Sequence, residues 1–501
     1  MDAYDLYKPL RNHLRRVSLL DSLGVIRAYL QNFQFRQPFP FDIEVIPQVR
    51  DAQTAAQRGV FEWELEILSK EIILNSPDRG EVELLRWDEL AGAVNALRTL
   101  EEEIHKRYES IVRPNIFMEL YRIAHRQFPW QIHPNNVVLA RYYKIFGHAE
   151  MDGLLQREIG LSAKKLYTLG LLFSGQYLAI FGIEDPIRVE VPWITDEEVD
   201  LFLSRFSREL SEMRDNIRAH QSYDQDYAYT FNPLKAYPLV WVTLRGKRTL
   251  IAPIPTYLFR RFTEGIYYEL IDKAGFAAAF GSSFQQYVGD VAHAVNTAGR
   301  LTVLAEQPYR VGKNGKNSID WLISDATGHL FVECKTKKLT IRAKIALASS
   351  AALEEELGKM ASFVVQAYKT LSDGRAGNYP HWEPDGKPIY PLVVTLEDWY
   401  LFGDQIMPLL DERVRQGLTV ANLDPILCTT NPYSICSVAE FEIIIQILEK
   451  VGIGAGMLEA FTNERKGWLT SMALQDAFPN ELKSSRGNLF PREAAEIGLQ
   501  G

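Results

Sequence analysis

Three side chains in the second half of the chain have the types and the spacing of a hydrolytic site. Asp320 lies in the stretch "SIDWLIS", and Glu333 and Lys335 lie in "LFVECKT", with "DATGH" between the two stretches. If they converge, they supply two anionic oxygen ligands and one cation. Such a set suits the metal-assisted hydrolysis of phosphate esters, whereas a solvated hairpin face would carry the same residue types for solubility alone.

Two strands of a hairpin are the elements that must position these residues. Successive side chains alternate between the two faces of a strand, so Glu333 and Lys335 share one face and Cys334 points to the other. The segment "SDATGH" contains the Asp and Gly of a tight turn. Folding the chain there brings Asp320, near the start of the first strand, towards Glu333 and Lys335 near the end of the second.

The chemistry of this set is that of a magnesium-dependent phosphodiesterase. Two carboxylates can hold Mg²⁺ at about 2.0–2.1 Å, and water molecules complete its octahedral shell. The ion polarises a phosphoryl group and lowers the pKa of a bound water. A lysine beside the metal orients that water or neutralises the charge that develops on the phosphate. We therefore predict Asp320, Glu333 and Lys335 as the catalytic residues, with the two acids as metal ligands.

The short pattern [DE]-x-K is not specific by itself. It begins at Glu333, Asp385, Glu464 and Glu481. Asp385 lies in a turn-rich loop, and neither Glu464 nor Glu481 follows a strand that carries an aspartate. Glu333 alone lies in an apolar β-strand pattern that is preceded by a hairpin partner with an acid at its start, so the context separates it from the others.

The segment from residue 280 predicts a helix, three strands, a helix and a fourth strand. "FGSSFQQYVGDVAHAVNTAG" predicts a helix that begins near Gly281, and "LTVLAEQPYR" predicts a strand that ends in the loop "VGKNGKN". The hairpin follows, then the helical pattern "IRAKIALASSAALEEELGKMASFVVQAYKTL" and the strand pattern "KPIYPLVVTLEDWYLF".

These residues and elements together resemble the PD-(D/E)xK superfamily of restriction-endonuclease-like phosphodiesterases. "SIDWLI" supplies the Asp of that motif as Asp320, and "FVECKTKK" supplies its acid and lysine as Glu333 and Lys335. The resemblance implies an α/β fold with a restriction-endonuclease-like mixed sheet flanked by helices. It also implies two acidic metal ligands, a lysine that assists the attacking water, and Mg²⁺ as the cofactor with Mn²⁺ as the alternative ion.

The resemblance is incomplete at two positions. Ile319 replaces the proline of the motif, which is a mild change. Many members of the superfamily carry a glutamate on the first core helix, where "GSSFQQYV" has Gln285. The carbonyl of Gln285 can still ligate a metal, although without charge, and Asp290 or Glu306 can take the place of the missing acid.

The local charge is consistent with a nucleic acid as the partner. Residues 301–350 contain eight Lys and Arg and four Asp and Glu, which is +4 in a chain of net charge −9. Lys337, Lys338, Arg342 and Lys344 follow the motif directly, and we predict that they contact a phosphate backbone. A solvated helix start would carry the same cations.

Other polar residues near the motif allow two interpretations each. Gln366 and Tyr368 lie on the helix after the motif, where superfamily members often place a polar residue near the active site. A buried tyrosine with a satisfied hydroxyl is an equally good interpretation of Tyr368. Glu397 and Asp398 follow the last strand, and they are interpreted as cap or loop charges.

Composition excludes several other classes of protein. The chain has 501 residues, 47% of them hydrophobic, and only three cysteines, none in a CxxC or Cys/His cluster. We therefore expect neither disulfides nor structural zinc, and we expect a cytoplasmic location. The uncharged run "LYTLGLLFSGQYLAIFGI" has the length of a membrane span, but its polar residues and glycines favour a buried helix followed by a strand.

The length predicts several domains. We predict a mainly helical recognition or partner domain at 1–235, the nuclease domain with a leading hairpin at 236–404, and a helical extension at 405–501. In the first domain, "TDEEVDLFLSRFSREL" has Thr195 as a helix N-cap before an acidic first turn. The segment "YPLVWVTLRGKRTLIAPIP" predicts the hairpin.

Two functional classes agree with these observations. The first is a metal-dependent endonuclease that acts on DNA, with RNA left open as substrate. The resemblance implies a role in defence against phage or foreign DNA, and a homo-oligomer or a partner protein. The second is a catalytically weak nuclease-fold subunit that binds nucleic acid as a scaffold. No membrane association is expected from either class.

Overall fold

A computed structural model describes residues 3–40, 43, 59–109, 116–338, 344, 351–401, 403–465 and 467–498. The regular elements of these residues are helices and mixed β-sheets. Two units can be distinguished. The first comprises residues 1–114, 126–274 and 492–501, and the second comprises residues 115–125 and 275–491. The predicted α/β class is confirmed.

Most of the first unit is helical, as its sequence predicts. Thr195 caps one of its helices, and the Thr195 side chain and Glu198 form the reciprocal hydrogen bonds of a capping box. The helices are α1 (Ala3–Leu14), α2 (Leu19–Phe35), α3 (Glu62–Asn75), α4 (Trp87–Glu109), α5 (Ile116–Gln131), α6 (Asn136–Phe146), α7 (Ala149–Glu158), α8 (Ala163–Ala179), α9 (Asp196–Phe206), α10 (Leu210–His220), α11 (Pro255–Phe262) and α12 (Ile266–Leu270). The unit division falls within α5, after His125.

A four-stranded sheet completes the first unit. Its strands are β1 (Gly182–Glu184), β2 (Ser207–Glu209), β3 (Leu239–Leu244) and β4 (Lys247–Ile251), in the order β1-β4-β3-β2. The predicted hairpin is confirmed, because β3 and β4 are antiparallel and joined by Arg245 and Gly246, both with positive φ. The uncharged run is also confirmed as the helix α8 followed by the strand β1. None of the described helices is long and apolar enough to cross a membrane.

A charged cluster lies inside the apolar core of the first unit. Lys70 and Glu71 are consecutive residues of α3, and their side chains are 3% and 0% exposed. Glu71 accepts hydrogen bonds from the hydroxyls of Tyr7 at 2.6 Å and Tyr227 at 3.0 Å, and Lys70 Nζ lies 3.8 Å from it. Lys70 Nζ also donates to Thr230 Oγ1 at 2.8 Å. The cluster is therefore paired as well as buried, as charges in a core must be.

The second unit contains a five-stranded mixed sheet. Its strands are β5 (Thr302–Ala305), β8 (Trp321–Ser324), β9 (His329–Lys335), β10 (Ile389–Thr395) and β11 (Ser434–Ser437), in the order β11-β10-β9-β8-β5. The strands β5, β8 and β9 are antiparallel neighbours, whereas β9, β10 and β11 run parallel. Two further strands, β6 (Pro308–Val311) and β7 (Asn314–Asn317), form a separate antiparallel ribbon.

Helices cover both faces of this sheet. Trp321 and Leu322 are consecutive residues of β8, so they point to opposite faces. Gly289 of α13 packs so closely on the Trp321 indole that a side chain there would collide with it, while Leu322 joins the core formed with α14 and α15. The helices of this unit are α13 (Phe276–Val295), α14 (Ala351–Arg375), α15 (Gly403–Val420), α16 (Leu427–Thr430), α17 (Val438–Val451), α18 (Ile453–Ala460), α19 (Thr470–Ala477) and α20 (Pro479–Lys483). The last helix, α21 (Pro491–Glu496), belongs to the first unit from residue 492 onwards.

Three local predictions in this unit are wrong. The first helix begins at Phe276 rather than near Gly281, because the alanine-rich turn "FAAAF" is itself a good helix former. The predicted strand "LTVLAEQPYR" divides into β5 and β6, and the predicted loop "VGKNGKN" contains β7. Gly312 has a φ of 59° in the turn of this ribbon, a conformation that glycine adopts without steric strain.

The two units divide the chain differently from the predicted domains. The hairpin of β3 and β4 pairs with β1 and β2 in the first unit, whereas the sequence predicts that it leads a nuclease domain at 236–404. The segment predicted as a separate extension at 405–501 belongs to the second unit as far as Pro491, since β11 extends the sheet by pairing with β10. Strand pairing over long sequence separation decides both differences, and local sequence patterns do not encode it.

Candidate active site

Asp320, Glu333 and Lys335 are brought together at one end of the sheet in the second unit. β8 begins one residue after Asp320, and Glu333 and Lys335 lie near the end of β9. Trp321 pairs with Val332 in the antiparallel register, and one further step along both strands sets Asp320 opposite Glu333. Opposed residues on neighbouring strands have Cβ atoms about 4.5–5.5 Å apart, so the predicted hairpin and its convergence agree with the structure.

Hydrogen bonds connect these side chains across the two strands. Lys335 Nζ donates to Glu333 Oε1 at 2.6 Å, as expected for side chains on one strand face. Asp320 Oδ2 accepts the backbone N–H of Cys334 at 2.6 Å, which joins Asp320 to β9. Lys335 Nζ also donates to Oε1 of Gln366 on α14 at 3.2 Å. The lysine therefore links the second strand to the helix that covers this face.

The surroundings disfavour two uncompensated negative charges. The side chain of Glu333 is 3% exposed, and that of Lys335, which is ion-paired to it, is 19% exposed. Burial raises the pKa of Asp320, and the charge of Glu333 raises it further. Burial also raises the pKa of Glu333, against the opposing effect of Lys335. A cation in addition to Lys335 would therefore stabilise the ionised pair.

The oxygen atoms at the site fit a hard divalent cation. Asp320 Oδ1 and Glu333 Oε2 accept no hydrogen bond from any residue that the structure describes. Within the same residues, no group of three or more His, Cys, Asp or Glu side chains is arranged as a metal site. Mg²⁺ is commonly held by one or two carboxylates together with water and substrate phosphate. Two carboxylates without a thiolate or imidazole suit Mg²⁺ or Mn²⁺ better than zinc.

Gln285, predicted as a weak metal ligand, is connected to the site through Glu306. Gln285 Nε2 donates to Glu306 Oε2 at 3.2 Å, and the Glu306 backbone N–H donates to the carbonyl of Asp320 at 2.9 Å. The charge of Glu306 contributes to the raised pKa of both Asp320 and Glu333. Of the two acids considered as substitutes, Glu306 is therefore near the pair, while Asp290 accepts from Gln286 at 2.8 Å.

The cations predicted to contact a phosphate backbone do not form an open row. Lys337 Nζ lies 3.9 Å from Glu356 Oε1, and Lys344 Nζ lies 2.9 Å from Glu397 Oε1. Lys338 is buried. Arg342 lies outside the described residues. The charges of Lys337 and Lys344 are thus partly compensated within the protein.

Of three further residues named from the sequence, one lies in the site, one in the core and one in a loop. Gln366 is exposed and holds Lys335, so it belongs to the site. Tyr368 is buried and its hydroxyl donates to the carbonyl of Asn431 at 2.8 Å, which confirms its interpretation as a satisfied core tyrosine. Glu397 pairs with Lys344 and is a loop charge, as interpreted from the sequence.

A second pair of carboxylates, which the sequence did not predict, lies in the same unit. Asp398 follows β10, and Glu440 lies in the first turn of α17. Burial raises the pKa of Glu440, and the charge of Asp398 raises it further. The stretch "SVAE" predicts only the capping box that Ser437 and Glu440 form. The approach of Asp398 depends on the parallel pairing of β10 with β11, for which no local signal exists.

Comparison with known proteins gives no information about this site beyond its own geometry. No protein-family model, no curated protein and no solved structure matches the chain. The catalytic interpretation of the second unit therefore depends on the contacts of Asp320, Glu333 and Lys335 and on the elements that hold them.

Proposed function

We propose that the second unit is a metal-dependent endonuclease of the PD-(D/E)xK type that hydrolyses phosphodiester bonds of DNA. The observation that carries this proposal is the Glu333–Lys335 ion pair on β9, with Asp320 opposite Glu333 directly before β8. Two carboxylates that repel each other, one buried (Glu333) and one half-buried (Asp320), are costly for stability, and a metal site is a physical reason to retain them.

The order of the elements around the site supports the same proposal. The helix α13 precedes the antiparallel strands β5, β8 and β9, and the helix α14 precedes the parallel strand β10. This is the order of helix, three strands, helix and strand that the resemblance implies. The ribbon of β6 and β7 is an insertion between the first and second strands of that order. The helices α15 to α20 and the strand β11 come after β10, the last strand of that order.

Each residue of the site would have a distinct role. Bound Mg²⁺ or Mn²⁺ would polarise the phosphoryl group and lower the pKa of a water ligand. Asp320 and Glu333 would hold the ion through Oδ1 and Oε2, which accept no hydrogen bond from a described residue. Lys335 would stabilise negative charge that develops on the phosphate, and Gln366 keeps the lysine on this side of the sheet.

The biological role is proposed by resemblance. Nucleases of this superfamily with long N-terminal regions are common in bacterial defence against phage and foreign DNA, and we propose the same role in the cytoplasm here. A single site cuts one strand at a time, so cleavage of both strands requires a homo-oligomer, a partner or repeated action. The order in which nicked and linear plasmid appear over time distinguishes one concerted event from successive nicks.

The direct test is cleavage by the purified chain. Supercoiled plasmid and single-stranded RNA are each incubated with the protein in Mg²⁺, in Mn²⁺ and in EDTA. The proposal expects nicked or linear DNA in the presence of either metal and none in EDTA. Cleavage that persists in EDTA would contradict the metal-dependent site, and cleavage of RNA alone would change the substrate.

We expect the substitution Lys335→Ala to lower the rate of metal-dependent cleavage about a hundredfold, because one charge that stabilises the transition state is removed. The matched control is Lys387→Ala. Lys387 also belongs to a [DE]-x-K sequence and forms a 2.6 Å ion pair with Asp385, but it precedes β10 at the other end of the sheet. Single-turnover rates of the two variants should differ strongly, and equal rates would exclude Lys335 from the site.

A second candidate function is a nucleic-acid-binding scaffold without strong catalysis. It is favoured by the almost complete burial of Glu333, which is already ion-paired with Lys335, and by the neutral side chain of Gln285. In this case, the protein binds DNA in a gel-shift assay with the same affinity in Mg²⁺ and in EDTA, and the Asp320→Asn variant nicks plasmid no less than the wild type. Metal-dependent cleavage that the Asp320→Asn and Lys335→Ala variants both lose rejects the scaffold.

A further inference from the structure

The ribbon of β6 and β7 is an exposed element that the catalytic site does not use. Pro308 pairs with Asn317 at its base, and Val311 pairs with Asn314 next to a two-residue turn. All four residues of β7 are exposed, and so are two of the four residues of β6. Neither β6 nor β7 pairs with a strand of the five-stranded sheet, because the two strands form a separate two-stranded sheet.

One face of the ribbon is fixed to the protein. Tyr309 and Lys316 are cross-strand partners, and both side chains donate to Asp373 Oδ2 of α14 at 2.6 Å. Tyr309 also packs against the ring of Tyr379, with 5.2 Å between the ring centroids. These contacts hold the ribbon in one orientation, which reduces the entropy that it would lose on binding a partner.

The other face and the tip carry free positive charge. Arg310 pairs with Gly315, which has no side chain to cover it, and Lys313 lies in the turn. Both cations are exposed, and neither has a side-chain hydrogen bond or ion pair with a described residue. They differ in this from Lys337 and Lys344, whose charges are already paired.

The base of the ribbon is joined directly to the candidate active site. The backbone N–H of Ser318 donates to the carbonyl of Gln307 at 2.9 Å, and the backbone N–H of Gln307 donates to Ser318 Oγ at 2.9 Å. Glu306 directly precedes Gln307, and Asp320 lies two residues after Ser318. The backbone N–H of Glu306 donates to the carbonyl of Asp320. A phosphate chain that reaches Asp320 therefore passes next to the ribbon.

We propose that this ribbon inserts into the major groove of double-stranded DNA, with Arg310 and Lys313 contacting the phosphates that border the groove. The proposal rests on the proposed nuclease function and narrows its substrate to a B-form duplex. A two-stranded ribbon fits the major groove of B-DNA, which is about 12 Å wide. The deep and narrow major groove of an A-form RNA duplex does not admit it.

The test is equilibrium binding of the full chain to a fluorescent 20-base-pair DNA duplex in EDTA, where no cleavage occurs. The variant Arg310→Ala/Lys313→Ala should bind about tenfold more weakly than the wild type at about 0.1 M salt. The slope of log K against log salt should decrease in magnitude by about 2, one for each phosphate contact. A duplex RNA of the same sequence should bind the wild type more weakly, with little change in the variant.

The matched control removes two positive charges elsewhere in the same unit. Lys387→Ala/Lys483→Ala takes one lysine before β10 and one at the end of α20, neither of them on the ribbon. This variant should keep the affinity and the salt slope of the wild type to within a factor of two. Thermal unfolding of both double variants should match the wild type, because the replaced side chains are on the surface.

Several results would overturn the ribbon proposal. They are wild-type affinity and salt slope in the Arg310→Ala/Lys313→Ala variant, an equal loss in the control, equal binding of duplex RNA, or no binding of duplex DNA by the wild type. Failure of the nuclease proposal is a separate result. In that case, the wild type cuts nothing in Mg²⁺ or Mn²⁺, while the ribbon variant still loses its affinity for the DNA duplex in EDTA.

Discussion

We expect the Asp320→Asn variant to lose metal-dependent cleavage of plasmid by about a thousandfold, because one of two anionic metal ligands becomes neutral. The amide oxygen of asparagine can still accept the backbone N–H of Cys334, so the hairpin should keep its geometry. In metal-free buffer the variant should be more stable than the wild type by about 1 kcal/mol, because the repulsion between the carboxylates at 320 and 333 disappears.

Loss of activity together with retained stability would distinguish a metal site from a pair of carboxylates, Asp320 and Glu333, that has only a structural role. Mg²⁺ or Mn²⁺ should raise the thermal unfolding midpoint of the wild type and not that of Asp320→Asn, because a ligand stabilises only the state that binds it. Asp385→Asn is the control, since Asp385 begins another [DE]-x-K sequence of the same unit and is 40% exposed. A variant at Asp320 that cuts at the wild-type rate would remove the basis of the proposed function.

We expect the Glu71→Ala variant to destabilise the first unit by about 3–5 kcal/mol, which is a shift of roughly 10 °C in its unfolding midpoint. Lys70 would remain buried next to an empty position, and burial already lowers its pKa. The hydroxyls of Tyr7 and Tyr227 would lose their acceptor. Each unsatisfied buried group adds to the cost.

Calorimetry of the full chain measures this effect. Glu71→Gln should cost less than Glu71→Ala, because the amide oxygen still accepts one of the hydroxyls. Glu102→Ala is the matched control, since Glu102 forms a 2.8 Å ion pair with Lys106 on α4 while 65% of its side chain is exposed. An exposed pair contributes little, so this midpoint should stay at the wild-type value. Equal shifts for Glu71→Ala and Glu102→Ala would contradict the buried cluster.

Local sequence was sufficient for the hairpin that carries the candidate site. The alternation in "LFVECKT" and the turn residues in "SDATGH" define two antiparallel strands, and the register follows from the turn between them. The positions of Asp320, Glu333 and Lys335 follow from that register alone. Their catalytic role stays a prediction. The hairpin of β3 and β4 and the helix α8 were predicted for the same reason, since each depends on neighbours in sequence.

Residues that lie far apart in sequence were beyond such reasoning. Glu306 was one of two acids considered, and the pairing of β5 with β8 brings it near the carboxylates. Whether Lys337 and Lys344 were free could not be known, because Glu356 and Glu397, which pair with them, lie on later segments. The sequence predicts most of β6 as the end of one long strand and β7 as part of a loop, since the exposed strands of the ribbon have no hydrophobic alternation.

The sequence by itself therefore determined the α/β class, the hairpin and the types of residue that can bind a hard cation. Tertiary structure alone decided which carboxylates share a buried environment, which cations remain free for a partner, and where each unit ends. The physical reason is the range of the interactions. Side-chain alternation and turn geometry are encoded within a few residues, whereas burial, charge pairing and parallel strand pairing depend on segments that meet only after the chain has folded.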